Sequence, residues 1–339
     1  MIRMRSGTLG PYLGVSIVVL GLLPLFLYWP AFQQPLPPES LVIRNISVFE
    51  QWLVVITAFG AKPAYMVLSL VWIVWLWRCQ AADLVALRRG LIFFLAGEIA
   101  CAANYVFFSG NSAVIDYLHS YGMAVGFSFV SYAILEAMDF RLIKYSPAKD
   151  RCAALSLCRA CIKYADVPCG LRRLFSFLIP ALIAISLMLP CAAMRPISYR
   201  INILQSPQDF PAPMWAQLFE GQFCAWVSIG LLLVCWGVLS FKRKDPVSTA
   251  KIFFAAAMGP LGFGLMRLFL RAAYRENLAW ANIWEELTEL IFVAGVGLVL
   301  WLFRGALFKK DQSSAVDQEN AAGSAESNVS RVLRIPSSP

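Results

Sequence analysis

Residues 89–109 read RGLIFFLAGEIACAANYVFFS, and this stretch decides the fold. Between Arg89 and Ser109 the one charge is Glu98. The apolar residues run on without alternating, which favours a helix over a barrel strand. Their number matches the roughly 20 residues that a helix needs to cross bilayer hydrocarbon. Similar stretches lie near 9–30, 53–78, 120–140, 173–194, 216–241, 249–273 and 284–304. The whole chain is 59% hydrophobic and 14% charged, where a soluble domain carries about 25% charged residues. The expected fold class is all-α, a polytopic integral membrane protein with about eight transmembrane helices.

Charge orients this bundle. With the N-terminus inside, most of the 29 Lys and Arg fall on the inner side, including Arg3, Arg5, Arg78, Arg88, Arg89, Lys242, Lys244 and the basic loop 141–172. That asymmetry obeys the positive-inside rule and places both termini inside a cell (plasma or inner) membrane. The net charge of +9 is then met by orientation and anionic headgroups, so the lipid bilayer is the expected partner and nucleic acid is not. The first apolar segment ends in LYWP with no small-residue cleavage site close behind, and reads as a retained helix. The expected organisation is a helix bundle over 1–310 and a disordered inner tail over 311–339, which lacks aromatics.

The loop contains Cys152, Cys158, Cys161 and Cys169, spaced C-x5-C-x2-C-x7-C. Four thiolates complete a tetrahedral Zn²⁺ site or ligate one iron–sulfur cluster. Lys149, Arg151, Arg159, Lys163, Arg172 and Arg173 surround them and favour the thiolate form. On the reducing side of a membrane this reads as a cofactor and metal site rather than disulfides. A CxxC redox pair, or a loop that is merely rich in cysteine, are the alternatives. His119 is the one histidine, so a bis-His haem has no ligand pair within the chain, and no CxxCH attaches a c-type haem. His119 is expected in the outer loop between the third and fourth helices.

Ionisable groups at bilayer depth are costly and suggest function. Glu98 lies midway along the third apolar stretch and Glu136 in the fourth. Levelling that hairpin sets Glu98 near Ser131 and Tyr132, about one turn from Glu136. Two carboxyls so close would suit proton handling; packing as neutral groups is the plainer reading. Arg267, Arg271 and Arg275 recur every four residues, and Glu285, Glu286 and Glu289 open the next segment. Folding this hairpin near 279 brings Arg267 level with Glu289, and Arg271 level with Glu285 and Glu286. That is an ion-pair ladder, or a site for an anion. Lys62 and Pro63 interrupt the second segment, so 47–59 is expected to lie at the outer interface or re-enter with the span proper starting near Pro63; the alternative is a plain helix start with Lys62 snorkelling.

No P-loop, GxGxxG, HExxH or GxSxG marks an enzyme. The leading expectation is a membrane protein with an inner-face four-cysteine site that transfers electrons or senses redox state, with a membrane or cytoplasmic redox partner protein. The first alternative is a transporter or permease for an ion or small anion that uses the intramembrane carboxylates. The second is a non-catalytic subunit or assembly factor of a membrane complex.

Overall fold

The computed structural model describes residues 42–108, 112–137, 178–187, 199–210, 215–241, 246–274 and 277–307. Almost all of these residues are helical. The elements in chain order begin with β1 (Val42–Arg44), α1 (Val48–Ile56), a π-helical turn (Thr57–Ala61) and α2 (Lys62–Trp75). Helices α3 (Ala82–Phe108), α4 (Ala113–Ala137) and α5 (Leu178–Leu187) follow. Then come β2 (Tyr199–Ile203), β3 (Ser206–Phe210), α6 (Trp215–Phe241), α7 (Pro246–Ala273), α8 (Leu278–Leu302) and α9 (Arg304–Leu307). The chain forms two units, Met1–Gly297 and Leu298–Pro339. Within the second, the Arg304 guanidinium lies 5.7 Å from the Trp301 ring centre.

Among the described residues, five helices are long and apolar enough to cross a membrane: Val48–Arg78, Ala82–Phe108, Val114–Ala137, Phe223–Ser240 and Thr249–Leu270. Val67, Leu70, Val74, Val106 and Phe107 are exposed, as expected of side chains that face lipid tails rather than water. The protein is therefore a membrane protein with an all-α body. The expected segment 9–30 lies outside the described residues, and α5 is shorter than a span. Helix α8 carries three glutamates near its start, which separates it from the plain apolar spans.

The first described span corrects an expectation. Residues 47–59 neither re-enter nor lie apart; they begin a helical run that continues to Arg78. Ser47 and Glu50 form a capping box: Glu50 N donates to Ser47 Oγ at 3.2 Å, and Ser47 N donates to Glu50 Oε2 at 2.7 Å. This satisfies two of the orphan amides at the helix start. Pro63 lacks an N–H, and its ring would crowd the carbonyl four residues back in an α-helix. The helix stays continuous by widening to a π turn, where Lys62 N donates to Thr57 O.

The core packs α3 against α4, α6 against α7, and α4 against α7. Small residues permit close approach. A Cβ on Gly122 would stand 2.7 Å from Gly97 Cα, so α3 and α4 touch backbone to backbone there. A Cβ on Gly259 would overlap the Phe127 carbonyl, which brings α7 equally near α4. With no hydrophobic drive between helices in lipid, such contacts and interhelical hydrogen bonds hold the bundle. Ser131 Oγ donates to Ala255 O at 2.6 Å, and Ser228 Oγ to Ala257 O at 3.1 Å.

A small sheet, order β1-β2-β3, was not anticipated. β1 runs parallel to β2, with Ile43 opposite Arg200; β2 runs antiparallel to β3, with Ile201 opposite Gln208. The hairpin turns at Leu204 and Gln205, which have φ of 47° and 69°. Both central residues of a tight hairpin turn need such values, ordinarily supplied by Asn or Gly. Gln51 of α1 accepts from Leu204 N at 2.9 Å and ties the hairpin to the bundle.

Candidate functional site

Lys62 opens α2 near the middle of the Val48–Arg78 span. It does not snorkel. Its ammonium donates to Glu98 Oε2 at 2.6 Å, to Tyr65 OH at 3.1 Å and to Glu286 Oε1 at 3.2 Å. All three N–H bonds of the ammonium are thus used inside the bundle. Tyr65, one turn along α2, sets its hydroxyl 2.6 Å from Glu98 Oε2 and 2.8 Å from Glu286 Oε2. Helices α2, α3 and α8 therefore meet at one polar centre, in which Tyr65 and Glu98 are fully buried.

His119 belongs to α4, not to a loop, and is buried. This corrects its expected position: α4 begins at Ala113 and absorbs it. Its Nδ1 lies 2.9 Å from Gly97 O and 3.7 Å from Glu98 Oε1. The close Gly97–Gly122 crossing allows this approach, since any larger residue would separate the two backbones. Glu98 Oε1 itself accepts no hydrogen bond among the described residues.

A second group adjoins the first through α8. Arg267 of α7 is 1% exposed; its Nη2 donates to Glu289 Oε1 at 2.9 Å, and its Nη1 lies 2.7 Å from Glu285 Oε2. The guanidinium also stacks over Phe263 at 4.8 Å. Glu286 and Glu289 are one turn apart on a common face of α8, so the Lys62 and Arg267 groups are neighbours. Aromatic rings adjoin them: Tyr65 lies 5.9 Å from Phe94, Phe94 5.5 Å from Phe292, and Phe127 4.6 Å from Phe263. Glu289 is buried, and its Oε2 accepts no hydrogen bond among the described residues.

Among the described side chains, Glu98, Glu285, Glu286 and Glu289 gather around the cations Lys62 and Arg267. Ionisable groups buried in this way are costly at bilayer depth, which pairing with one another reduces.

The other anticipated residues are placed as follows. Glu98 and Glu136 do not adjoin. Glu98 is level with Gly122 rather than with Ser131 and Tyr132, because α3 ends at Phe108 and α4 begins at Ala113. From Gly122 to Glu136 the α4 axis runs about 20 Å. Glu136 instead lies 4.0 Å from Lys251, which is buried at the start of α7. Arg271 belongs to α7, but its side chain and all of Arg275 lie outside the description, as do Cys152, Cys158, Cys161 and Cys169. Among the described residues no group of three or more His, Cys, Asp or Glu is arranged to hold a metal ion.

Lys62, Tyr65 and His119 were missed as site residues. Lys62 carried one usable signal, a charge within an apolar run with no nearby aqueous end. Tyr65 follows it at three residues, on the same helical face.

Comparison with family models, with curated proteins and with solved structures finds no match.

Proposed function

We propose that this chain is a multi-pass transporter or permease of the cell membrane, in which the Lys62–Glu98–Glu286 centre handles the transported or coupling ion. The observation that supports it is a buried cluster of ionisable side chains, Lys62, Glu98 and Glu286 with His119 beside them, drawn from four helices of the bundle. Intramembrane ionisable groups of this kind mark ion pathways. In this reading the chain has about eight spans with both termini inside, in keeping with its basic loops. Lys62 and Arg267 hold the carboxyls in place, and the carboxyls meet the ion that comes and goes.

The test is charge movement. The full chain is reconstituted in liposomes adsorbed on a solid-supported membrane, and jumps of H⁺, Na⁺, K⁺, Cl⁻, acetate and phosphate are applied. At least one jump should give a protein-dependent transient current that Glu98→Gln suppresses. If no jump exceeds the signal of empty liposomes, the transport reading fails.

A further inference from the structure

The hydrogen atoms around Tyr65 can be counted. The Lys62 ammonium has three, and they are committed to Glu98 Oε2, Tyr65 OH and Glu286 Oε1. The Tyr65 hydroxyl has one. It nevertheless lies within hydrogen-bond distance of two carboxyl oxygens, Glu98 Oε2 at 2.6 Å and Glu286 Oε2 at 2.8 Å. An ionised carboxylate only accepts, and an oxygen–oxygen contact this short needs a proton between the atoms. Tyr65 fills one of the two contacts. The other lacks a proton unless a carboxyl supplies it.

From this we infer that Glu98, Tyr65 and Glu286 form a proton relay that holds one exchangeable proton. The inference deepens the transport reading by naming H⁺ as the ion. In the resting arrangement the extra proton sits on Glu286 Oε2 and is donated to Tyr65, while Tyr65 donates to Glu98 Oε2. Glu98 stays ionised because it also receives the shorter ammonium contact, 2.6 Å against 3.2 Å at Glu286. Transfer requires no other reactant. The Glu286 O–H bond breaks as that proton bonds to the Tyr65 oxygen. The original Tyr65 O–H breaks as its proton bonds to Glu98 Oε2. The proton then rests on Glu98 and the negative charge on Glu286, with Lys62 in contact with both throughout.

Charged and titratable neighbours approach from each packed helix. On the α2 side these are Lys62 and Tyr65, and on α3 Cys101 lies one turn beyond Glu98. From α4 comes His119, which faces the otherwise unaccepting Glu98 Oε1. Glu285 and Glu289 of α8 are engaged by Arg267 of α7. A metal ion does not fit between Glu98 and Glu286, because the ammonium already occupies that position. A proton needs no such space.

Infrared difference spectroscopy on the full chain in lipid nanodiscs tests the relay. At neutral pH the unaltered protein should show a protonated-carboxyl C=O band that moves on exchange into D2O. Glu286→Gln should remove it, and Tyr65→Phe should shift it by taking away its hydrogen-bond partner. Circular dichroism confirms helix content, and Tyr65→Phe carries the test if Glu286→Gln does not fold. The relay is overturned if no such band appears between about pH 5 and about pH 8, where an ordinary carboxyl is already ionised. It is also overturned if the band is indifferent to both substitutions. A band without any ion-jump current supports the relay and defeats transport. Currents driven by another ion, with no band, support transport and defeat the relay.

Discussion

Replacing Lys62 by Met should be among the most damaging single changes in the bundle, and replacing its partner Glu98 should not. The ammonium makes contacts of 2.6 Å to Glu98 and 3.2 Å to Glu286, with Lys62 and both carboxyls largely out of water. Lys62→Met keeps the length and apolar stem but strands the Glu98 charge, at a cost of about 3–5 kcal/mol. Glu98→Gln lets Glu286 release its proton and pair with Lys62 as the carboxylate, and retains an oxygen that accepts from Lys62 and Tyr65, so it should cost about 1 kcal/mol. In Lys62→Met/Glu98→Gln no charge is stranded on α3, and stability should return to within about 2 kcal/mol of the unaltered protein. The coupling between the two sites is then about 3 kcal/mol, at the upper end of what contacting residues show. The Lys62→Met loss should shrink as pH falls, because protonating Glu98 removes the stranded charge. Reversible unfolding in mixed micelles, run as a double-mutant cycle at two pH values, measures all of this. Additive effects, or a loss below about 1 kcal/mol for Lys62→Met, would refute the account of a buried, ion-paired centre.

Other substitutions separate the parts. Tyr65→Phe removes a hydroxyl hydrogen-bonded to two carboxyls and should cost about 2–3 kcal/mol in the same unfolding assay. Arg267→Lys cannot reach Glu285 and Glu289 together with a planar fork, so it should lose about 2 kcal/mol despite keeping the charge. Gly122→Ala places a Cβ 2.7 Å from Gly97 Cα and should destabilise by about 1–3 kcal/mol through overpacking. Metal and acid-labile sulfide analysis of anaerobically purified protein checks the four-cysteine loop, where Cys158→Ser with Cys161→Ser should abolish any bound zinc or iron.

Much of the bundle is legible in the chain because apolar length is a local property. The spans around Glu98, Val227 and Ala256 follow from unbroken runs near the length a bilayer requires. Glu98 stood out for the same reason, as a charge with nothing to solvate it. Its partner did not. Lys62 and Glu98 are 36 residues apart, and Lys62 and Glu286 are 224 apart, so no spacing rule connects them. Pro63 beside Lys62 reads as the start of a span, yet the π turn lets the helix pass through both. The α3–α4 hairpin levels differently because the expected loop runs on through His119, whereas α4 already begins at Ala113. The strand pair around Leu204 escaped because its turn lacks Asn and Gly, although Arg200–Ile203 does alternate polar and apolar residues.

The centre can be measured directly in a bilayer. With ¹⁵N on Lys62 Nζ and ¹³C on Glu98 Cδ, solid-state dipolar recoupling reports their separation in lipid. The 2.6 Å contact between Nζ and Oε2 predicts a nitrogen–carbon distance below about 4 Å, the reach of a charge-assisted hydrogen bond. A separation beyond about 6 Å, outside any direct ion pair, would contradict the buried centre on which the proposed ion handling rests.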